Sequence, residues 1–130
     1  MALKVATLSY VVRDYDEAIS WFTGKLDFAL VSDADQGGGK RWVVVEPKDG
    51  GGARLLLAKA VGETQSAVIG HQAGGRVFLF LETDNFDRDH AAMQSKGVNF
   101  LETPRAEPYG KVAVFEDLYG NRWDLLEPKP

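Results

Sequence analysis

From Thr7 to Val12 the chain alternates, with Leu8, Tyr10 and Val12 on one side and Thr7, Ser9 and Val11 on the other. That is the period of a half-buried strand. Asp14 follows, with Glu17 three residues on, the spacing of a capping box at a helix start. Tyr15, Ile19, Phe22 and Leu26 then recur at intervals of four, three and four, which makes one apolar helical face. Phe28–Val31, Arg41–Glu46 and Arg54–Ala58 read as three further strands, separated by glycine turns at 36–39 and 47–52. The predicted order is strand, helix, strand, strand, strand.

The same order returns further along. Val77–Leu81 reads as a strand, Asp84 as a cap with Asp87 three residues on, and Phe86, His90, Met93 and Gly97 as a helical face. Each of these four positions lies 71 residues after its counterpart in the first helix. Asn99–Glu102, Lys111–Phe115 and Trp123–Leu126 complete the second set of strands, with a turn at 117–122 before the last. Gly52-Ala-Arg54 lines up with Gly120-Asn-Arg122. The pattern predicts two tandem βαβββ modules, 5–60 and 76–130, within one domain spanning 1–130. The connector, 61–75, carries a short helix near Glu63–Ile69. A module of this size is marginal alone, so the pair should share a core or assemble as a homodimer.

Composition narrows the chemistry. The 130 residues include no cysteine, which removes disulfides, thiolate metal sites and cysteine nucleophiles. With two histidines, His71 and His90, no site can use three. A net charge of −4 disfavours nucleic acid or an anionic membrane as partner. The longest stretch free of Asp, Glu, Lys and Arg runs from Thr64 to Gly75, well short of the ~20 apolar residues of a membrane span. A cytoplasmic protein is the expectation. GGGK at 37–40 precedes a strand rather than a helix, so it is no phosphate loop, and no GxSxG motif is present.

Two segments carry a family resemblance. VVRDYDEAISWFTGKLDF (Val11–Phe28) and FEDLYGNRWDLLEP (Phe115–Pro128) are similar to the opening and closing signatures of the vicinal oxygen chelate superfamily. That superfamily includes glyoxalases, bleomycin-resistance proteins and extradiol dioxygenases. Asp27 stands where the family usually has glycine, and Leu118 and Tyr119 replace the proline and second aspartate of its Asp-Pro-Asp-Gly-Asn turn. The resemblance implies an α+β fold in which the two modules form an incomplete barrel around a cleft. In enzymatic members the cleft holds a divalent metal. Carried over by motif, the four ligand positions are Thr7, Leu56, Phe78 and Asp124. Leu56 and Phe78 have no lone pair to offer, and Thr7 has only a neutral hydroxyl, so no metal or other cofactor is expected.

Alternation then assigns the rest of the cleft. Thr7, Ser9, Leu56, Phe78, Phe80 and Arg122 should line it, with Trp42 as a stacking platform or core residue and Tyr109 on a loop at its edge. Asp124 and Glu82 could act as paired carboxylates, one acid and one base. Alternatively, Asp124 pairs with Arg122 or Arg54, and Glu82 is a solvated strand end. His90 falls on the inward face of its helix and reads as a core residue; His71 reads as a solvated loop residue. The expectation is a metal-free protein binding a small organic molecule in an apolar cleft. The alternative is a lyase, isomerase or dioxygenase using displaced ligands or Asp124.

Overall fold

Asp14 caps a helix, as its position predicts. Its backbone is extended (φ −149°, ψ 136°) and its carboxylate accepts from the Glu17 amide at 2.8 Å, satisfying one of the first-turn donors. In this computed structural model, which describes residues 1–130, that helix is α1 (Tyr15–Lys25). It buries Tyr15, Ala18 and Phe22. The Phe22 ring meets Tyr10 edge-on, with centroids 5.4 Å apart. Four strands form the sheet beneath: β1 (Thr7–Val12), β2 (Phe28–Asp35), β3 (Arg41–Pro47) and β4 (Arg54–Lys59). Their order is β1-β4-β3-β2, with β1 parallel to β4 and the other pairs antiparallel. A short helix, α2 (Gly62–Ser66), follows.

The second half repeats the arrangement. β5 (Val77–Glu82) leads to α3 (Phe86–Ser95), then β6 (Asn99–Phe100), β7 (Arg105–Glu107), β8 (Gly110–Glu116) and β9 (Arg122–Pro128). The order is β5-β9-β8-β6, with β7 also paired to β8 and β5 parallel to β9. The chain divides into two compact units, Met1–Ile69 and Gly70–Pro130. The fold is α+β, built on two sheets, neither closed into a barrel. No helix is long and apolar enough to cross a membrane.

Several local expectations change. The cap of α3 is Asn85, not Asp84: Asn85 Oδ1 accepts from the Arg88 amide at 3.1 Å, while Asp84 binds the Arg88 guanidinium at 2.8 Å. Asn85 is 71 residues after Asp14, so the repeat itself marks the correct cap. β2 runs on to Asp35 through an irregularity between Leu30 and Ser32, and β9 extends to Pro128. The strand expected over Asn99–Glu102 stops at Phe100, and β7 is an addition that the repeat did not foretell. The connector helix is shorter than Glu63–Ile69 and starts one residue earlier. Asp27 has φ 57°, the one non-glycine residue in the left-handed region, which accounts for the glycine usual there.

The closing turn keeps its function despite two replaced residues. The Asp117 carboxylate accepts from the amides of Tyr119 and Asn121 (both 3.0 Å), from Asn121 Nδ2 (3.1 Å) and from Trp123 Nε1 (2.9 Å). Asn121 Oδ1 in turn accepts from the Gln72 amide at 3.1 Å, tying the start of the second unit to its last hairpin.

Candidate functional site: one recess in each unit

Register decides which side chains share a face. In the first unit Val43↔Leu57 and Val45↔Leu55 are buried pairs on the α1 side. Val44↔Leu56 between them faces the other way, and Trp42, two residues before Val44, shares that face. Ser9 pairs with Leu56 and Thr7 with Arg54, so Thr7, Ser9, Leu56 and Trp42 lie on one face. Trp42 is 44% exposed, so it is not a core residue. A recess of about 550 Å³ opens here, with Trp42, Leu56, Ala58 and Val61 in its wall. Arg54 is engaged elsewhere, with Glu46 at 3.0 Å, so it does not serve Asp124.

In the second unit Phe80 pairs with Asp124 across β5 and β9, and Val114 pairs with Asp124 across β8 and β9. Together with Arg76, Val77 and Arg122 they line a recess of about 380 Å³. Phe80 is 64% exposed, whereas Asp124 is 8% exposed. Phe78 does not line this recess. The β5–β9 register slips between Val77 and Leu79, so Val77 takes the place opposite Arg122. Glu82 pairs with Leu126 and is exposed. Tyr109 lies on the turn between β7 and β8 and is 53% exposed.

Asp124 is the unusual group. Its Oδ1 is buried and has no hydrogen-bond partner. Burial pushes its pKa above the ordinary carboxylate value; the Arg105 charge draws it back in part, and the Glu102 charge adds to the rise. The carboxylate that weighs on Asp124 is therefore Glu102 and not Glu82. Glu102 itself is fixed, accepting from Arg105 Nε at 3.0 Å and from the Val114 amide at 2.8 Å. Neither Arg122 nor Arg54 forms an ion pair with Asp124.

The residues do not fit a divalent metal. Of the four positions carried over by motif, Thr7 and Leu56 lie on one face of the first unit, Phe78 is outside the recess of the second, and Asp124 alone offers a carboxylate. No cluster of three or more His, Cys, Asp or Glu side chains converges anywhere in the chain. His71 is exposed. His90 lies between Phe86 and Phe100, centroids 5.2 and 4.3 Å away, with its buried Nε2 unpartnered.

Sequence reasoning missed Arg76, Val114 and the Glu102–Arg105 pair. Val114 was within reach, because the hairpin turn at 117–122 sets its register with Asp124. Arg105 opens the added strand β7 and Glu102 lies in the bend before it, past the point where the expected strand over Asn99–Glu102 stops.

The comparisons with known proteins agree with this architecture. An uncharacterized protein of Shewanella frigidimarina (strain NCIMB 400) is 52% identical over 128 residues, covering 98% of this chain and 95% of that one. The crystal structure of UcmS2 is similar with a TM-score of 0.83 at 28% identity, covering 98% of this chain and 99% of that one. TnmS3, an antibiotic binding protein from Streptomyces sp. CB03234, is similar with a TM-score of 0.78 at 31% identity, covering 99% of each chain. The model of one family, described as the Glyoxalase/Bleomycin resistance protein/Dioxygenase superfamily, matches residues 4–125, and the chain belongs to that superfamily.

Proposed function

We propose that this protein binds a small organic molecule without using a metal. The observation that carries the reading is the Phe80–Asp124 pair: an exposed aromatic ring beside a buried, unpaired carboxylate in a recess. An unsatisfied buried acceptor costs about 1–3 kcal/mol, a burden with no structural return. A ligand cation or hydroxyl would give Oδ1 the partner it lacks, through a charge-assisted hydrogen bond. The Phe80 ring offers a stacking surface, worth about 0.5–1.5 kcal/mol beyond its area. TnmS3, at 31% identity, is itself an antibiotic binding protein, which supports the same class of ligand. Thr7, Ser9, Trp42 and Leu56 offer a second surface of similar character on the first unit. Arg122 lines the Phe80–Asp124 recess, and Tyr109 completes the set of side chains assigned to ligand contact.

The test is a thermal-shift screen of aromatic and antibiotic molecules, followed by calorimetry on the hits. Phe80→Ala and Asp124→Asn should each weaken a genuine ligand by about tenfold. Unchanged affinity in both variants, for every hit, removes the proposed recess. Elemental analysis of untagged protein should find no stoichiometric Mn, Fe, Ni, Co or Zn.

A second reading rests on the raised pKa of Asp124, which suits a general acid or base. Turnover of a bound ligand that is lost in Asp124→Asn would favour catalysis over binding. The same reading of the sequence makes the working form a cytoplasmic homodimer, which light scattering and cell fractionation test.

A further inference from the structure

The two units differ in how far their central strands stay paired. In the second, β8 and β9 are paired at every position from Gly110↔Pro128 to Glu116↔Arg122. In the first, β3 and β4 pair only at Val43↔Leu57, Val44↔Leu56 and Val45↔Leu55. The next three positions would be Trp42 with Ala58, Arg41 with Lys59, and Lys40 with Ala60. Their counterparts in the second unit, Val112↔Leu126, Lys111↔Glu127 and Gly110↔Pro128, are closed. β3 instead stays with β2 (Ala34↔Trp42, Asp35↔Arg41), and β4 stays with β1 (Val11↔Ala58, Val12↔Lys59). The sheet is forked, and the six residues at the fork all line the recess of about 550 Å³.

The fork is held open rather than frayed. The Arg41 amide donates to Tyr15 Oη at 3.1 Å, and its guanidinium lies 5.1 Å from the Tyr15 ring centroid. On the other prong the Ala60 amide donates to Val12 O at 2.9 Å, and the Val61 amide donates to Gln65 Oε1 at 2.9 Å. Such fastening lowers the ordering cost of binding. The volume lies within the usual range of about 300–1,000 Å³ for small-molecule pockets.

The charges at the fork are unequal. Arg41 is matched by Asp16 at 3.0 Å and Asp33 at 2.7 Å. Lys40 and Lys59 form no ion pair, although the chain as a whole carries −4. Two unmatched cations thus flank an aromatic and apolar slot.

We infer that the β3–β4 fork is a binding slot for a planar aromatic anion, with its ring against Trp42 and Ala58 and its acidic group at Lys40 and Lys59. This rests on the reading of the chain as a small-molecule binder and adds to it a place and a charge. Open strand edges at the fork can meet carbonyl or hydroxyl substituents on the ring. Phe80 and Asp124 serve a different recess, whose wall holds a carboxylate together with Arg76 and Arg122, so the two sites differ in chemistry.

The test uses the full chain and two matched fluorescent probes, anilinonaphthalene sulfonate and the neutral N-phenylnaphthylamine. Saturable binding of the sulfonate should shift backbone amide resonances of Lys40–Trp42 and Ala58–Val61. A Lys40→Gln/Lys59→Gln variant should weaken the sulfonate roughly fivefold or more and leave the neutral probe within about twofold. Ala58→Leu, which copies the closed counterpart Leu126, should weaken both probes. An unchanged melting temperature shows that the variants are folded. Equal effects of the lysine substitutions on both probes overturn the charge selection. Shifts confined to Phe80, Val114 and Asp124 overturn the fork while leaving the small-molecule reading standing. No saturable binding of either probe overturns the fork, and the broader reading is then decided by the separate ligand screen.

Discussion

Phe80 and Asp124 are partners across the parallel β5–β9 ladder, an exposed ring beside a buried carboxylate. In the first unit the same pair of positions holds Ser9 and Leu56, where nothing ionisable is buried.

Replacing Asp124 by the residue of its counterpart should therefore stabilise the protein. The pKa of Asp124 is raised above its ordinary value of 3.8, chiefly by burial. The folded state then holds the proton more tightly than the unfolded chain does. Stability falls as pH rises from the unfolded value through the folded one, and the full penalty is present above the folded value. Asp124→Leu should gain about 1–3 kcal/mol at neutral pH in urea unfolding, with most of the gain gone near pH 3. The same variant should lose ligand affinity.

His90 gives the opposite slope. Burial lowers its pKa below 6.5, with Asp87 opposing and Lys111 reinforcing the shift. The unfolded chain takes up a proton first, so stability falls as pH drops from about 6.5 toward the folded-state value. His90→Ile, copying Ile19, should flatten the melting temperature between about pH 5 and pH 7. A variant that keeps the wild-type slope assigns it to another group.

Asp27 holds a left-handed backbone, φ 57°, at an exposed position after α1. A β-carbon there costs roughly 1 kcal/mol. Asp27→Gly should raise stability by up to about that amount, less whatever glycine adds to unfolded-state entropy, measured by calorimetry.

Asp117 satisfies four donors from three residues in a buried turn. Asp117→Ala strands all four. The expected loss is about 3 kcal/mol or more, visible as a lower urea midpoint and a change in Trp123 fluorescence.

Much of this architecture is legible in the sequence because it is written twice. An offset of 71 aligns Tyr15 with Phe86 and Phe22 with Met93, and both pairs are buried. The same offset points to Asn85 as the cap, whereas local acidity alone favours Asp84. Local pattern fails where pairing decides. The slip at Phe78 inserts one residue into a strand whose alternation looks unbroken. The facing of Trp42 needs the β3–β4 register, which the glycine turn at 47–52 does not fix. The fork depends on where pairing stops, and the composition of Lys40–Trp42 does not tell that. Arg105 opens an added strand and Glu102 sits in the bend before it, so no motif foretells their influence on Asp124.

Each unit pairs its first strand in parallel with its last, β1 with β4 and β5 with β9. During synthesis this sets a timetable. The first unit has all its strands once Lys59 has left the ribosome, whereas the second must wait for Pro128. Until then β5 has no partner strand, so the nascent chain is most vulnerable to misassembly over its final third. Loss of even a few residues from β9 would leave the first unit intact and the second without its central strand.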